Sequence, residues 1–320
     1  MDRRVWLLTD ARMDAHASAG HPERRERREA MAAGVRHAAG AAVEEPPVEA
    51  ATGAEIQTVH DPEYVAALDR AEAAGGGWLD PDTYLVPGSM LAARLAAGAT
   101  IAAAFAVADG DAEVAVAAVR PPGHHASTAR GSGFCLLNNV GIAVGALRST
   151  GRAERIAIVD WDVHHGDGTQ ELFDADPDVI YASTHQHPFY PGTGLPHETG
   201  IGAARGTKHN HALMAGAGDE EFVAAWADDL LPTVERFLPE TILVSAGYDA
   251  HRADPLANLD VTEAGFREVA RLVGALSARL GLNGVALTFE GGYDLDAVRA
   301  SAAATVRGIL EGRRGTPGRA

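Results

Sequence analysis

Cysteine is almost missing: Cys135 stands alone in 320 residues, so no intrachain disulfide can form. Its place directly after Phe134 in a loop marks it as a buried neighbour of a site and not as a nucleophile. Positive charge is also short, with 27 basic residues against 44 acidic ones and a net charge of −17. That balance opposes DNA, RNA and anionic membrane surfaces, so neither nucleic acid nor a membrane is expected as a partner. The apolar run near the start, Val5-Trp6-Leu7-Leu8, is far too short for a secretory leader, and no span is read as approaching the ~20 apolar residues of a membrane helix. A cytoplasmic enzyme is the expectation. No internal repeat and no dividing linker is visible; Gly75-Gly76-Gly77 and Ala215-Gly216-Ala217-Gly218 are loop-length breaks.

With 46% hydrophobic residues, the chain can build the core of one large α/β domain. Short apolar strands alternate with alanine-rich helical stretches at 88–108, 138–149, 220–237, 262–280 and 295–310, the pattern of a parallel sheet with helices on both faces. Asp219 and Thr262 have the character of helix N-caps. The dense charges of 23–28 read as a solvated helix start. The domain is placed at 1–311, and the basic, glycine-rich 312–320 is expected to be a disordered tail.

Four apolar strands run into chemistry-bearing residues. The run 155–159 is followed by VDWDVHHGDGTQ (159–170), which packs three carboxylates and two imidazoles into eight residues. In a parallel sheet, ligands bind beyond the carboxyl ends of the strands. On extended backbone Asp162 and His164 point the same way and make two ligands of an open divalent-metal site. The strand 241–246 ends at Asp249, which supplies a third ligand and leaves coordination positions free. The strand 114–119 leads into RPPGHHA (120–126), where His124 and His125 suit proton transfer, with Asp160 and Asp167 as spare carboxylates to orient them. The strand 284–289 leads into Glu290-Gly291-Gly292-Tyr293, and the Tyr293 phenol is a neutral donor for an oxyanion forming beside a metal.

RPPGHHA (120–126), GFCLLNN (133–139), VDWDVHHGDGTQ (159–170), SAGYDA (245–250) and FEGGYD (289–294), in this order and spacing, resemble the zinc-dependent histone deacetylase superfamily over about residues 5–310. The glutamate-containing form at 290–293 is more similar to the class II and bacterial deacetylase-like amidohydrolase branch than to class I, which is richer in glycine there. The resemblance implies an arginase/deacetylase-like fold, a single-domain three-layer αβα sandwich with a mostly parallel central sheet, and His21-Pro22-Glu23 in the first rim loop. It implies zinc on Asp162, His164 and Asp249, a catalytic pair His124 and His125 backed by Asp160 and Asp167, and Tyr293 polarising the amide carbonyl. Iron(II) is accommodated by the same ligands. Gly133, Phe134 and Tyr190 correspond to the acyl-lysine channel, Tyr190 standing where the family usually has phenylalanine. A structural potassium ion is implied at oxygens of Asp160, Asp162, His164, Ser183 and Thr184.

The reaction so implied is hydrolysis of an acetyl or other acyl group from an acylated amine by metal-activated water, with acyl-lysine the leading substrate. Acetylpolyamines and small acylated metabolites are the alternatives. Deacetylases that prefer polyamines carry glutamate at the rim position matching Leu256, and leucine offers a polyamine's inner charge no partner. A binuclear manganese ureohydrolase would need further aspartates at the metal strands. A noncatalytic acyl-group binder would lack a ligand or Tyr293, and none is missing. A homo-oligomer is compatible with the sequence, which does not specify one.

Overall fold

The structure, a computed structural model, describes residues 4–315. Its strands are β1 (Val5–Leu8), β2 (Val43–Glu44), β3 (Gly77–Trp78), β4 (Tyr84–Leu85), β5 (Val114–Ala117), β6 (Ile156–Asp160), β7 (Val179–Gln186), β8 (Lys208–Leu213), β9 (Thr241–Ala246) and β10 (Val285–Phe289). Eight of them form one sheet in the order β2-β1-β5-β10-β9-β6-β7-β8, and every pairing in it is parallel. The remaining two, β3 and β4, make a small antiparallel hairpin.

The helices are α1 (Glu26–Ala39), α2 (Gly53–Ile56), α3 (Pro62–Ala73), α4 (Ser89–Ala108), α5 (Asn139–Ser149), α6 (Asp167–Phe173), α7 (Asp219–Ala224), α8 (Leu231–Phe237), α9 (Glu263–Arg279) and α10 (Leu295–Gly315). Side chains alternate across a strand, and the core divides accordingly. Val114 and Val116 of β5 and Ala157 and Val159 of β6 join α1, α9 and α10 on one face. Ala115 and Ala117, with Ile156 and Ile158, join α4 and α5 on the other. The result is the three-layer αβα sandwich, and its sheet is wholly parallel.

Several local expectations are corrected. The stretch 220–237 is not one helix: α7 and α8 are separated by a wide π-helical turn over Ala225–Leu230, next to Pro232, which has no N–H to continue a regular ladder. Thr262 caps α9 by accepting from Ala264 N. Asp219, read as a cap, is instead the first residue of α7; its carboxylate accepts from Thr262 N and Oγ1 and so braces the start of α9. The last helix runs to Gly315, so residues 312–315 are helical, and the rest of the expected tail lies outside the described residues. Helix α4 is 20 residues long and apolar enough to cross a membrane, contrary to the reading that no such span exists. It is a core helix here, since 78% of that apolar window is buried.

Candidate active site

Strands β5, β10, β9 and β6 are consecutive neighbours running in the same direction, so their carboxyl ends open onto one edge of the sheet. That edge collects His124 and His125 after β5, Asp162, His164 and Asp167 after β6, Asp249 after β9 and Tyr293 after β10. A cavity of about 290 Å³ opens over them, lined among others by His124, His125, Asp162, His164 and Tyr293.

One ligand atom each from Asp162, His164 and Asp249 lies within 4.8 Å of the others. His164 Nδ1 is 3.1 Å from Asp162 Oδ1 and 3.2 Å from Asp249 Oδ2. Backbone groups occupy the outer sides of the two carboxylates: Gly291 N donates to Asp162 Oδ2 at 2.7 Å, and Val163 N to Asp249 Oδ1 at 2.9 Å. Asp249 Oδ2 is buried and makes no hydrogen bond. Two buried carboxylates that converge on a single imidazole are unfavourable unless a cation sits among them. Burial and the Asp162 charge push the Asp249 carboxyl up. The donor set of two carboxylates and one imidazole therefore fits a divalent cation. Glycine makes room for it: a Cβ on Gly247 would lie 2.1 Å from Asp162 Oδ2, and one on Gly291 would lie 2.0 Å from Asp249 Oδ2.

Each tandem histidine has its own carboxylate. His124 Nδ1 is 3.1 Å from Asp160 Oδ2, and His125 Nδ1 is 2.7 Å from Asp167 Oδ1. Their surroundings drive them apart. Burial disfavours the His124 cation, but the Asp162 and Asp160 charges outweigh it and raise the group well above its ordinary value. Burial pulls His125 down to about 4, with the neighbouring His124 charge adding to it and Asp167 opposing. The two imidazoles are thus pushed in opposite directions by their surroundings.

Gly133, Phe134, Tyr190 and Leu256 all line the same cavity. Phe134 meets the Tyr293 ring edge-on at 5.8 Å, and Tyr190 meets His125 edge-on at 5.1 Å. Ser183 stands opposite Asp160 in the β6–β7 register, with Thr184 beside it, and all three are buried. The Ser183 hydroxyl lies 3.0 Å from His185 Nδ1, and Thr184 Oγ1 accepts from Trp226 Nε1 at 3.1 Å. Cys135 is buried, and burial pushes its thiol well above the ordinary range, which suits packing and not nucleophilic attack.

Other residues at the site escaped the sequence reading. Phe189 stacks on His164 at 5.4 Å, one residue before the tyrosine singled out. Glu290 is fully buried, and its Oε2 accepts from Gly123 N at 2.7 Å and His124 N at 3.2 Å, holding the histidine loop. The charge run at 23–28 is corrected: Glu23 and Arg27 are fully buried. Glu23 receives both Arg120 and Arg27, while Arg27 donates to the carbonyls of Glu290 and Gly292 and lies 4.5 Å from the Tyr293 ring centroid. The only hint was arginine at four-residue spacing from a glutamate, since the other partners are far away in sequence.

A profile of the histone deacetylase domain matches residues 21–309. A probable deacetylase of Archaeoglobus fulgidus is 44% identical over 242 residues, covering 76% of this chain and 67% of that protein. Histone deacetylase 15 of Arabidopsis thaliana is 38% identical over 97% of this chain, which spans only 56% of the plant protein. A histone deacetylase-like amidohydrolase of Pseudomonas aeruginosa is 37% identical over 76% of this chain and 64% of its own length. Among solved structures, the crystal structure of the HDA15 HD domain superposes with a TM-score of 0.90 at 36% identity, covering 97% of this chain and 89% of that one. With the profile spanning most of its length and these relatives alongside, the chain belongs to the histone deacetylase family.

Proposed function

We propose that the chain is a metal-dependent amidohydrolase that removes an acetyl or other acyl group from an acylated amine, with acyl-lysine preferred. Asp162, His164 and Asp249 would hold zinc, or iron(II), and a structural potassium ion would use oxygens of Asp160, Asp162, His164, Ser183 and Thr184. Bound zinc would polarise the scissile carbonyl and acidify the attacking water.

The chain's own groups do the rest. Neutral His125, oriented by Asp167, accepts the proton of the attacking water and passes it to the leaving amine. Charged His124, held by Asp160, offsets the negative charge that develops in the pocket. Tyr293 keeps its proton because burial pushes the phenol well above its ordinary value, and so it can donate to the carbonyl oxygen as that oxygen becomes anionic. Gly133, Phe134 and Tyr190 enclose the acyl-bearing stem, and the half-buried Leu256 gives the rim an apolar lining.

The observation that carries this reading is the pair of buried histidines, each held by its own carboxylate, beside three convergent ligand atoms. A second substrate class has one observation in its favour: Asp82 lines the same cavity as Leu256, and a carboxylate there could meet an inner ammonium of an acetylpolyamine. A turnover panel of acetyl-lysine peptides, longer acyl-lysines and acetylspermidine with metal-reconstituted protein tests both. We expect the highest kcat/KM on an acyl-lysine. A clear preference for acetylspermidine overturns the substrate assignment, and no turnover of any acyl amine overturns the reaction.

A further inference from the structure

We propose that Asp254 is a positioning residue that sets the rim residue Leu256 and the catalytic Tyr293 together, so that one buried carboxylate couples substrate fit to the chemical step. The proposal rests on the function assigned above to Tyr293.

Asp254 is buried, yet its hydrogen bonds run to backbone N–H groups on two different segments. Oδ2 accepts from Tyr293 N at 2.6 Å and from Asp294 N at 3.3 Å. Oδ1 accepts from Leu256 N at 3.0 Å. Leu256 and Tyr293 both line the cavity over the ligand cluster. The two oxygens belong to one rigid planar group, so the two segments cannot shift independently without breaking one of these hydrogen bonds.

The segment before Tyr293 makes such an anchor necessary. Gly291 and Gly292 precede it, and Gly292 has a φ of +119°, a conformation in which glycine is permissive and other residues are strained. Glycines that let backbone approach the ligand carboxylates leave the direction of the following side chain poorly fixed. Arg27 holds the Gly292 carbonyl on one side of that peptide, and Asp254 holds the Tyr293 N–H on the other. Both anchors belong to one peptide unit, so its plane is fixed and Tyr293 starts from a defined backbone position.

Asp254→Asn tests the arrangement because it preserves shape while replacing one acceptor oxygen with an NH2 group. Whichever way the amide turns, a donor faces a donor at Leu256 N or at Tyr293 N. The experiment is a double-mutant cycle of Asp254→Asn and Tyr293→Phe on the metal-loaded full chain, with metal content and Tm recorded for each protein. We expect Asp254→Asn to lower kcat on an acetyl-lysine peptide about 10-fold with tyrosine at 293 and less than about 2-fold with phenylalanine there, because its effect acts through the hydroxyl. The kcat/KM ratio between acetyl-lysine and acetylspermidine should also shift, through Leu256. An equal fold-loss in both backgrounds overturns the proposal and makes Asp254 a general structural residue. Full turnover by Tyr293→Phe overturns the functional assignment instead. Should Asp254→Asn fail to fold, Asp254→Glu, which keeps the charge but moves the oxygens by one methylene, should lower kcat with unchanged metal content; unchanged kcat in that variant overturns the proposal.

Discussion

Around β6, the two ends of one parallel sheet treat carboxylates in opposite ways. At the amino ends, Arg155 and Asp178 flank β6 and β7 as an exposed pair 3.2 Å apart, each side chain about two-fifths accessible. Arg152 and Asp109 pair nearby in the same fashion. At the carboxyl ends, Asp160, Asp162, Asp249 and Glu290 are fully buried and are met by imidazoles, hydroxyls and backbone N–H groups. An exposed pair contributes at most about 1 kcal/mol, whereas an uncompensated buried charge costs several. Stability accounts for the first arrangement and not for the second, so the carboxyl ends are where this fold is shaped by chemistry.

That contrast is sharpest at the histidine pair. His125→Ala should lower turnover about 1000-fold, in the range expected for loss of a general base, while His124→Ala should cost less. A pH–rate profile checks the assignment: an acidic limb that disappears only in the His124 variant would exchange the two roles.

Glu23→Gln probes a fully buried carboxylate beside the site that is held by two buried arginines, Arg120 and Arg27. Burial opposes its charge, but Arg120 and Arg27 hold the carboxyl down to about 2. The folded-state value lies below the ordinary 4.5, so this group's contribution to stability is complete above about pH 4.5 and is lost as pH falls toward 2. Leaving two buried guanidinium groups without their counter-charge should destabilise the fold by about 3 kcal/mol in chemical denaturation at pH 7. A loss under about 1 kcal/mol would place Glu23 in the same class as the exposed pairs.

Tyr293→Phe should retain fold and metal and lower kcat about 100-fold, as removal of an oxyanion donor does, with little change in KM. Near-normal turnover would remove the hydroxyl from the mechanism. The smallest effect belongs to the other end of the sheet: Arg155→Ala should change stability by about 1 kcal/mol or less and leave kcat unchanged. A marked loss of activity there would break the comparison.

The carboxyl-end chemistry was legible because each motif is contiguous and follows a short apolar strand, so sequence order alone delivered His124, His125, Asp162, His164, Asp249 and Tyr293 to one edge. The supporting groups were hidden by distance along the chain. Glu23 and Arg27 look like surface charges until Arg120 and the carbonyls after β10 are brought against them. Asp254 sits in a turn of ordinary composition, and only the fold places Tyr293 N against it. Phe189 was passed over because its neighbour Tyr190 matched the expected aromatic wall. The break between α7 and α8 is a local backbone adjustment that hydrophobic periodicity does not register.

Elemental analysis of the purified chain beside Asp249→Ala, with acetyl-lysine turnover measured on the same samples, tests the proposal that Asp162, His164 and Asp249 hold the catalytic metal. We expect one divalent metal per chain in the unaltered protein, and joint loss of metal and activity in the variant. Full metal occupancy in Asp249→Ala, or turnover that survives without the metal, would contradict it.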